Sequence, residues 1–266
     1  MGHDKLRKFA ENETFGCLVQ PSAQEVLADG YEHLRDYPLK GRWQEFFHCT
    51  ERRPLVLELG CGKGEYTLEL ARRNPDRNYV GVDIKGARLW RGAKTATGEN
   101  LGNVGFLRTR IEFITAFFGP GEVDEIWLTF SDPQPKSANK RLSSPLFLER
   151  YRSFLRPGGI VRLKTDSLFL HEYTRAVAEA NGLSVLACTR DLYGPGDSSF
   201  RSEPEIKDVH TFYENIFLQR GVPITYMAFA IDHDGPYVHP REDFDAARWR
   251  ELDNSRRAFS QHTAEQ

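Results

Sequence analysis

Residues 57–64 read L-E-L-G-C-G-K-G, directly after the apolar pair Leu55 and Val56. Leu55, Val56, Leu57 and Leu59 make a short strand, and Gly60, Gly62 and Gly64 then allow a tight turn and close backbone approach by a ligand. From this point on, apolar runs of strand length alternate with segments of helical period. That alternation is the pattern of an α/β domain with a parallel sheet.

The pattern predicts strands at 55–59, 79–83, 104–107, 123–130, 160–164, 183–189 and 224–231. Helices are expected near 64–73, 86–97, 111–118, 167–181 and 208–220, and another begins at Pro145 with Ser144 as its N-cap. Asn74-Pro75 stops the first helix, Ser131-Asp132-Pro133 ends the fourth strand, and Gly182 closes the helix before the sixth strand. The stretch 191–207, with Gly194, Pro195, Gly196 and several serines, reads as a mobile loop. Two C-terminal strands separated by such an excursion suggest a reversed last strand. The expected fold is therefore α/β and doubly wound, a mostly parallel seven-stranded sheet with a reversed last strand. A core domain over 54–232 would carry an N-terminal extension, 1–53, and a charged C-terminal extension, 233–266, with Trp249 and Leu252 as apolar anchors.

A chain of 266 residues with 39% apolar and 12% aromatic residues can bury one large core. Its formal net charge of -2 excludes a globally basic nucleic-acid binder, so any such role must rest on local patches. Cys17, Cys49, Cys61 and Cys188 form no C-x-x-C pair, which argues against zinc or a disulfide framework, and no metal is expected. The N-terminus lacks an apolar signal core, and no apolar stretch approaches the roughly 20 residues that span a bilayer. A cytoplasmic protein with reduced thiols and no membrane partner is the expectation.

Glu58 separates the nucleotide ligands that a glycine turn would otherwise accept equally. A carboxylate two residues before the first glycine would repel a dinucleotide pyrophosphate and attract the cationic ammonium and sulfonium of S-adenosylmethionine. Asp83 ends the second strand, where doubly wound folds hold ribose hydroxyls with an acid; a helix cap is the plain alternative. Asp132 leaves the sheet at the carboxyl edge where such folds bind ligands, in a segment stiffened by Pro133 and Pro135. A simple Asp-Pro turn would look the same. Lys136, Lys140 and Arg141 follow, with Arg150, Arg152 and Arg156 beyond them, as either a solvated charged loop or a phosphate-binding rim. Asp166 follows R-L-K-T at the same edge. Thr211 and Glu214, three apart on a predicted helix, share a face: a capping or exposed pair, or a hydroxyl and a carboxylate presented together. His171 and His210 lack a metal-ligand arrangement.

The segments V-D-E-I-W-L-T-F-S-D-P-Q-P-K at 123–136, K-R-L at 140–142, L-K-T-D at 163–166 and T-F-Y-E at 211–214 together resemble the bacterial tRNA (guanine-N7)-methyltransferases. The likeness covers roughly residues 50–231, and G-R-W-Q-E-F-F at 41–47 looks like the N-terminal lead-in of one branch of that family. The resemblance implies a Rossmann-like methyltransferase, S-adenosyl-L-methionine as donor, tRNA as partner, and methylation of the variable-loop guanine numbered 46 by tRNA convention. It implies Glu58, Gly60, Gly62, Asp83, Arg110 and Asp132 on the donor, with Asp132 also the catalytic residue. Lys136, Asp166, Thr211 and Glu214 would match the substrate-binding positions. Arg110 stands where the family often has an acid or Asn at the adenine end, with Glu112 or backbone groups as substitutes. Ser131 replaces a common Pro, Gln134 a common Trp and Phe212 a frequent Lys. A methyltransferase on another acceptor and a catalytically inactive tRNA-binding relative are the rival readings, and monomer and homodimer stay equally open.

Overall fold

The structure, a computed structural model, describes residues 2–28, 33–194 and 203–253. The chain divides into two compact units, Met1–Ile126 with Ser153–Arg156, and Trp127–Arg152 with Pro157–Gln266.

The first unit runs α1 (Gly2–Asn12), β1 (Leu18–Val19), α2 (Ala23–Val26), α3 (Trp43–Phe46), β2 (Leu55–Leu59), α4 (Glu65–Arg73), β3 (Asn78–Asp83), α5 (Gly86–Gly98) and β4 (Val104–Arg108). A 3-10 turn (Ile111–Ala116) and the opening residues of β5 (Val123–Thr129) complete it. Its strands lie in the order β1-β4-β3-β2 followed by β5, and the pairs β1–β4, β4–β3 and β3–β2 are parallel. A parallel sheet is covered on both faces, which is why β2 and β3 are buried at every residue and show no polar alternation. Gly64, with φ +73°, is the N-cap of α4, and a Cβ there would come within 2.5 Å of the Phe106 ring. Glycine at this position is what lets α4 sit close on the sheet.

The described residues of the N-terminal extension pack onto this unit. The short β1 adds an eighth strand to the seven expected, with Leu18 opposite Phe106 on β4. Trp43 is fully buried, stacks on Phe118 with centroids 5.1 Å apart, and donates its indole N–H to the Phe117 carbonyl at 2.9 Å. The Glu122 carboxylate accepts the backbone N–H groups of Gly41, Trp43 and Gly119, which closes the 41–47 segment onto the loop before β5.

The second unit holds the end of β5, a 3-10 turn (Ala138–Lys140), α6 (Pro145–Arg152), most of β6 (Leu155–Thr165), α7 (Leu168–Ala180), β7 (Val185–Thr189), α8 (Glu205–Asp208), α9 (Phe212–Gln219) and β8 (Thr225–Ala230). The order is β5-β6-β8-β7, and β8 runs antiparallel to both β6 and β7, so the reversed last strand is present. Three elements differ from expectation. The strand expected at 160–164 is longer, since β6 starts at Leu155 and passes through Gly158 at φ +68°. The helix expected at 111–118 is a 3-10 turn. The helix expected at 208–220 is broken at 209–211, because Thr211 caps a new helix instead of continuing an old one.

Residues 195–202 of the expected loop and residues 254–266 lie outside the described residues. The described part of the C-terminal segment packs on α6 and α7. Tyr237 N–H donates to Glu149, Val238 N–H to Asn181, and the Phe244 ring meets Phe169 and Tyr173 edge-on. Among the described residues, no helix is long and apolar enough to cross a membrane.

Trp43→Ala removes a stacked, hydrogen-bonded indole from a site with no room for solvent. We expect a loss of about 3–5 kcal/mol in denaturant-induced unfolding, and a loss below about 1 kcal/mol would mean that the N-terminal segment contributes little to the fold.

Candidate active site

The carboxyl ends of β2, β3 and β4 lie side by side, since Glu58 is opposite Gly81 and Asp83 opposite Arg108. One edge of the first unit therefore carries Glu58, the glycine turn, Asp83 and Arg110. Gly60 and Gly62 have φ of +82° and +59°, and nothing lies within 4 Å of a Cβ added to either. The turn is tied down from beneath. Gly60 and Cys61 donate to the Val82 carbonyl at 2.8 and 3.0 Å, and Gly62 N–H donates to Asp83 Oδ2 at 3.0 Å.

Asp83 Oδ1 accepts Lys85 N–H at 2.7 Å, so the carboxylate is fixed from both sides. Glu58 is buried, and its Oε2 accepts the backbone N–H and the hydroxyl of Thr67 on α4 at 2.9 and 2.5 Å. Burial, reinforced by the charges of Glu58 and Asp83, holds the Cys61 thiol well above the ordinary thiol range. It stays protonated and is no nucleophile. Arg110 is exposed, 3.6 Å from the Glu112 carboxylate and over the Phe113 ring at 5.7 Å.

In the second unit, Phe130 N–H donates to the Lys164 carbonyl at 2.9 Å, which joins the exit of β5 to the end of β6. Asp132 and Asp166 thus leave the sheet at one edge. Phe130 and Gln134, on either side of Asp132, have φ of +50° and +45°, a region that side chains other than glycine seldom adopt. Asp132 is exposed, and its Oδ1 accepts Gln134 N–H at 2.9 Å in an Asx turn. The loop is held from inside by Arg141. Its Nε donates to the Pro133 and Gln134 carbonyls at 3.3 Å each, and its Nη2 to those of Pro135 and Phe244 at 3.4 and 2.7 Å. The guanidinium is buried between the rings of Phe169 and Tyr173, 4.7 and 4.3 Å from their centroids.

These positions correct the expected basic rim. Arg141 faces inward and has no access to a phosphate. Arg152 is spent on Glu149 and on the carbonyls of His233 and Gly235. Arg156 pairs with Asp124 at 3.0 Å, at the opposite end of β5 from Asp132. Lys136 and Lys140 stay exposed beside the Asp132 loop, while Arg156 is exposed but already paired.

Thr211 and Glu214 form a capping box. The Thr211 hydroxyl accepts Glu214 N–H at 3.1 Å, and Glu214 Oε2 accepts Thr211 N–H at 3.3 Å. Glu214 is fully buried against Lys164 Nζ at 2.8 Å and accepts the Tyr193 hydroxyl at 2.6 Å. Lys164 also donates to the carbonyls of Ile206 and Val209 at 2.8 and 3.0 Å. Burial lowers the Lys164 pKa while Glu214 pulls it back up. His171 is buried with Nε2 at 3.6 Å from Cys188 Sγ, and His210 meets the Lys207 carbonyl and Asn215. Among the described residues, no group of three or more His, Cys, Asp or Glu could hold a metal ion.

Sequence reasoning missed Thr67, Lys164 and Tyr193. A lysine inside an otherwise buried strand was a usable signal for a partner carboxylate. Thr67 and Tyr193 carry no such mark, because their carboxylate partners lie at no helical or strand spacing from them.

A family model described as "Putative methyltransferase" matches residues 52–225. A tRNA (guanine-N(7)-)-methyltransferase of Christiangramia forsetii is 49% identical over 230 residues, covering 86% of this chain and 98% of that one. One from Bacteroides thetaiotaomicron is 44% identical over 259 residues, covering 97% and 98%. Among solved structures, the 16S rRNA methyltransferase KamB matches with a TM-score of 0.52 and 16% identity, over 75% of this chain and 96% of that one, which is a likeness of fold. With identities of this size over nearly the full length of such relatives, the chain belongs to the tRNA (guanine-N(7)-)-methyltransferase family.

Proposed function

We propose that the chain transfers the methyl group of S-adenosyl-L-methionine to N7 of a tRNA guanine, the variable-loop guanine numbered 46 by tRNA convention. The observation that carries this reading is its 49% identity to a tRNA (guanine-N(7)-)-methyltransferase over 98% of that relative's length. On this reading residues 54–232 are the methyltransferase domain, 1–53 and 233–266 are extensions, and the enzyme works in the cytoplasm.

The donor-side residues fit such a group. The space above Gly60 and Gly62 is open where a side chain would fill it. Each Asp83 oxygen accepts one backbone N–H and keeps acceptor capacity for a ribose hydroxyl. Glu58 adds negative potential suited to a cationic ligand, and Arg110 lies in line with the adenine end. When bound, S-adenosylmethionine supplies an electrophilic methyl group on a positively charged sulfur.

Guanine N7 carries an in-plane lone pair and no proton, so the chain needs no general base. Its tasks are alignment and charge. Asp132, fixed by Gln134 N–H in a loop that Arg141 holds, stabilises the positive charge that grows on the base. Lys136 takes a phosphate, while Asp166 and Thr211 offer polar contacts to the acceptor nucleotide. Glu214 acts from the interior, keeping Thr211 and the start of α9 in place.

Asp132→Ala and Asp132→Asn should lower 7-methylguanosine formation on unmodified tRNA by roughly 100-fold or more, measured by mass spectrometry of nucleosides with donor binding followed by calorimetry. Near-normal turnover in both variants would remove Asp132 from the chemistry. Lys136→Ala should weaken tRNA binding and reduce the slope of log Kd against log salt by about 1; an unchanged slope takes it out of the phosphate contacts. Glu58→Gln removes the charge and leaves the shape. Calorimetry should show donor affinity falling by about tenfold, with tRNA affinity unaltered, and equal donor affinity would refute the role given to the carboxylate.

A further inference from the structure

Helix α5 and its N-cap carry Lys85, Arg88, Arg91 and Lys94, each three residues after the last, with no acid between them. The rules of helix surfaces oppose this run. Like charges three apart repel on a helix face, and cations in the first turn meet the positive end of the helix dipole, where acids are favoured. Lys85 is the N-cap and Arg88 lies in the first turn, which holds no acid. Local stability therefore does not account for the run.

The neighbouring acids do not balance it. Glu11 on α1 accepts Lys94 Nζ at 2.7 Å and the Trp90 indole N–H at 2.8 Å, and Glu99, at the C-cap of α5, accepts the Arg72 guanidinium at 2.7 and 2.8 Å. Asp83 is buried and bound to the N–H groups of Gly62 and Lys85. Lys85, Arg88 and Arg91 are exposed, and among the described residues none of the three has an ion-pair partner. Their support is firm, because α1 braces the first turn of α5. Asn12 Nδ2 donates to the Gly86 carbonyl at 3.1 Å, and a Cβ on Gly86 would come within 2.9 Å of the Phe9 ring. Since α5 follows directly on β3 and Asp83, the row of cations starts beside the edge that carries the glycine turn.

We propose that Lys85, Arg88 and Arg91 form a cationic ridge that takes the phosphate backbone of the tRNA, a contact that positions the RNA and reads no base. Successive members stand about 4.5 Å apart along the helix axis. Guanidinium groups take phosphate oxygens in pairs, and each neutralised phosphate releases counterions. Leu89 and Trp90, between the cations, are buried, so the ridge presents charge rather than the apolar centre of a protein interface. The inference rests on the reading that tRNA is the acceptor.

The test compares wild type with Arg88→Gln/Arg91→Gln, which removes two charges and keeps good helix formers, and with Arg88→Lys/Arg91→Lys, which keeps both charges. Binding to unmodified tRNA is measured across a salt series, alongside 7-methylguanosine formation, donor calorimetry and thermal unfolding. The glutamine variant should raise the tRNA Kd and KM by about tenfold at low salt and reduce the slope of log Kd against log salt by about 2. Its kcat at saturating tRNA, its donor affinity and its melting temperature should hold, and the lysine variant should keep the wild-type slope. Wild-type tRNA affinity and slope in the glutamine variant overturn the proposal. So does an equal loss in the lysine variant, because charge would then not be what the RNA meets. Wild type that binds tRNA without methylating it would refute the assigned reaction while the slopes still decide the ridge, whereas wild type that binds no tRNA refutes both.

Discussion

The guanidinium of Arg141 is the interaction on which the Asp132 loop of the second unit depends. A buried charge is costly unless hydrogen bonds replace its water. Here the replacement comes from four carbonyls and the faces of two aromatic rings. Three of those carbonyls belong to the consecutive residues Pro133, Gln134 and Pro135, which turns one side chain into a template for a loop. That loop contains two residues with left-handed φ, each costing about 1–3 kcal/mol unless its surroundings impose it. The fourth carbonyl belongs to Phe244, so the C-terminal segment and the Asp132 loop share one anchor. A segment distant in sequence thereby becomes part of what shapes the site.

The edge that carries the glycine turn was legible in the sequence because its geometry follows from local rules. A parallel register puts the ends of β2, β3 and β4 in a row, and Glu58, Gly60, Gly62, Asp83 and Arg110 fall at those ends by chain order alone. The second unit was harder to read. Arg141 sits in a run of cations that looks solvated, and the groups that bury it are backbone carbonyls, which leave no trace in a sequence. The spacing of Thr211 and Glu214 has two physical meanings, a shared helical face and a capping box, and periodicity does not separate them. That same ambiguity hid the break between α8 and α9, since a cap inside an apolar run looks like one more turn of helix. Trp43 was passed over for a different reason. Its partners, Phe117 and Phe118, are far along the chain, and a lone tryptophan in a weakly periodic segment has no period to report.

Alkylation of an atom that bears no proton changes what a fold must supply. No group needs a tuned pKa, so the selective pressure on polar side chains shifts from titration to placement. The buried polar groups of this chain agree with that demand. Lys164 and Glu214 form a fully buried pair that also bonds to Ile206, Val209, Tyr193 and Thr211. Such a pair contributes little net stability over an apolar substitute, but it admits few arrangements, and the arrangement it admits fixes the start of α9.

A methyl donor with a positive sulfur and an acceptor with a phosphate backbone place opposite demands on one protein. Exposed acids near the donor would also repel the RNA. Glu58 and Asp83 meet this conflict by being buried and by accepting hydrogen bonds from Thr67, Gly62 and Lys85, so that fixed dipoles neutralise much of each charge at a distance. They keep their strength at contact range, where a ligand lying on the glycine turn would feel it, and lose it over the roughly 10 Å across which salt already screens charges. Lys136 and Lys140 show the reverse choice: they stand in solvent, where a phosphate can reach them. A chain with a net charge of -2 can still offer local positive potential to an RNA where such lysines stand in solvent.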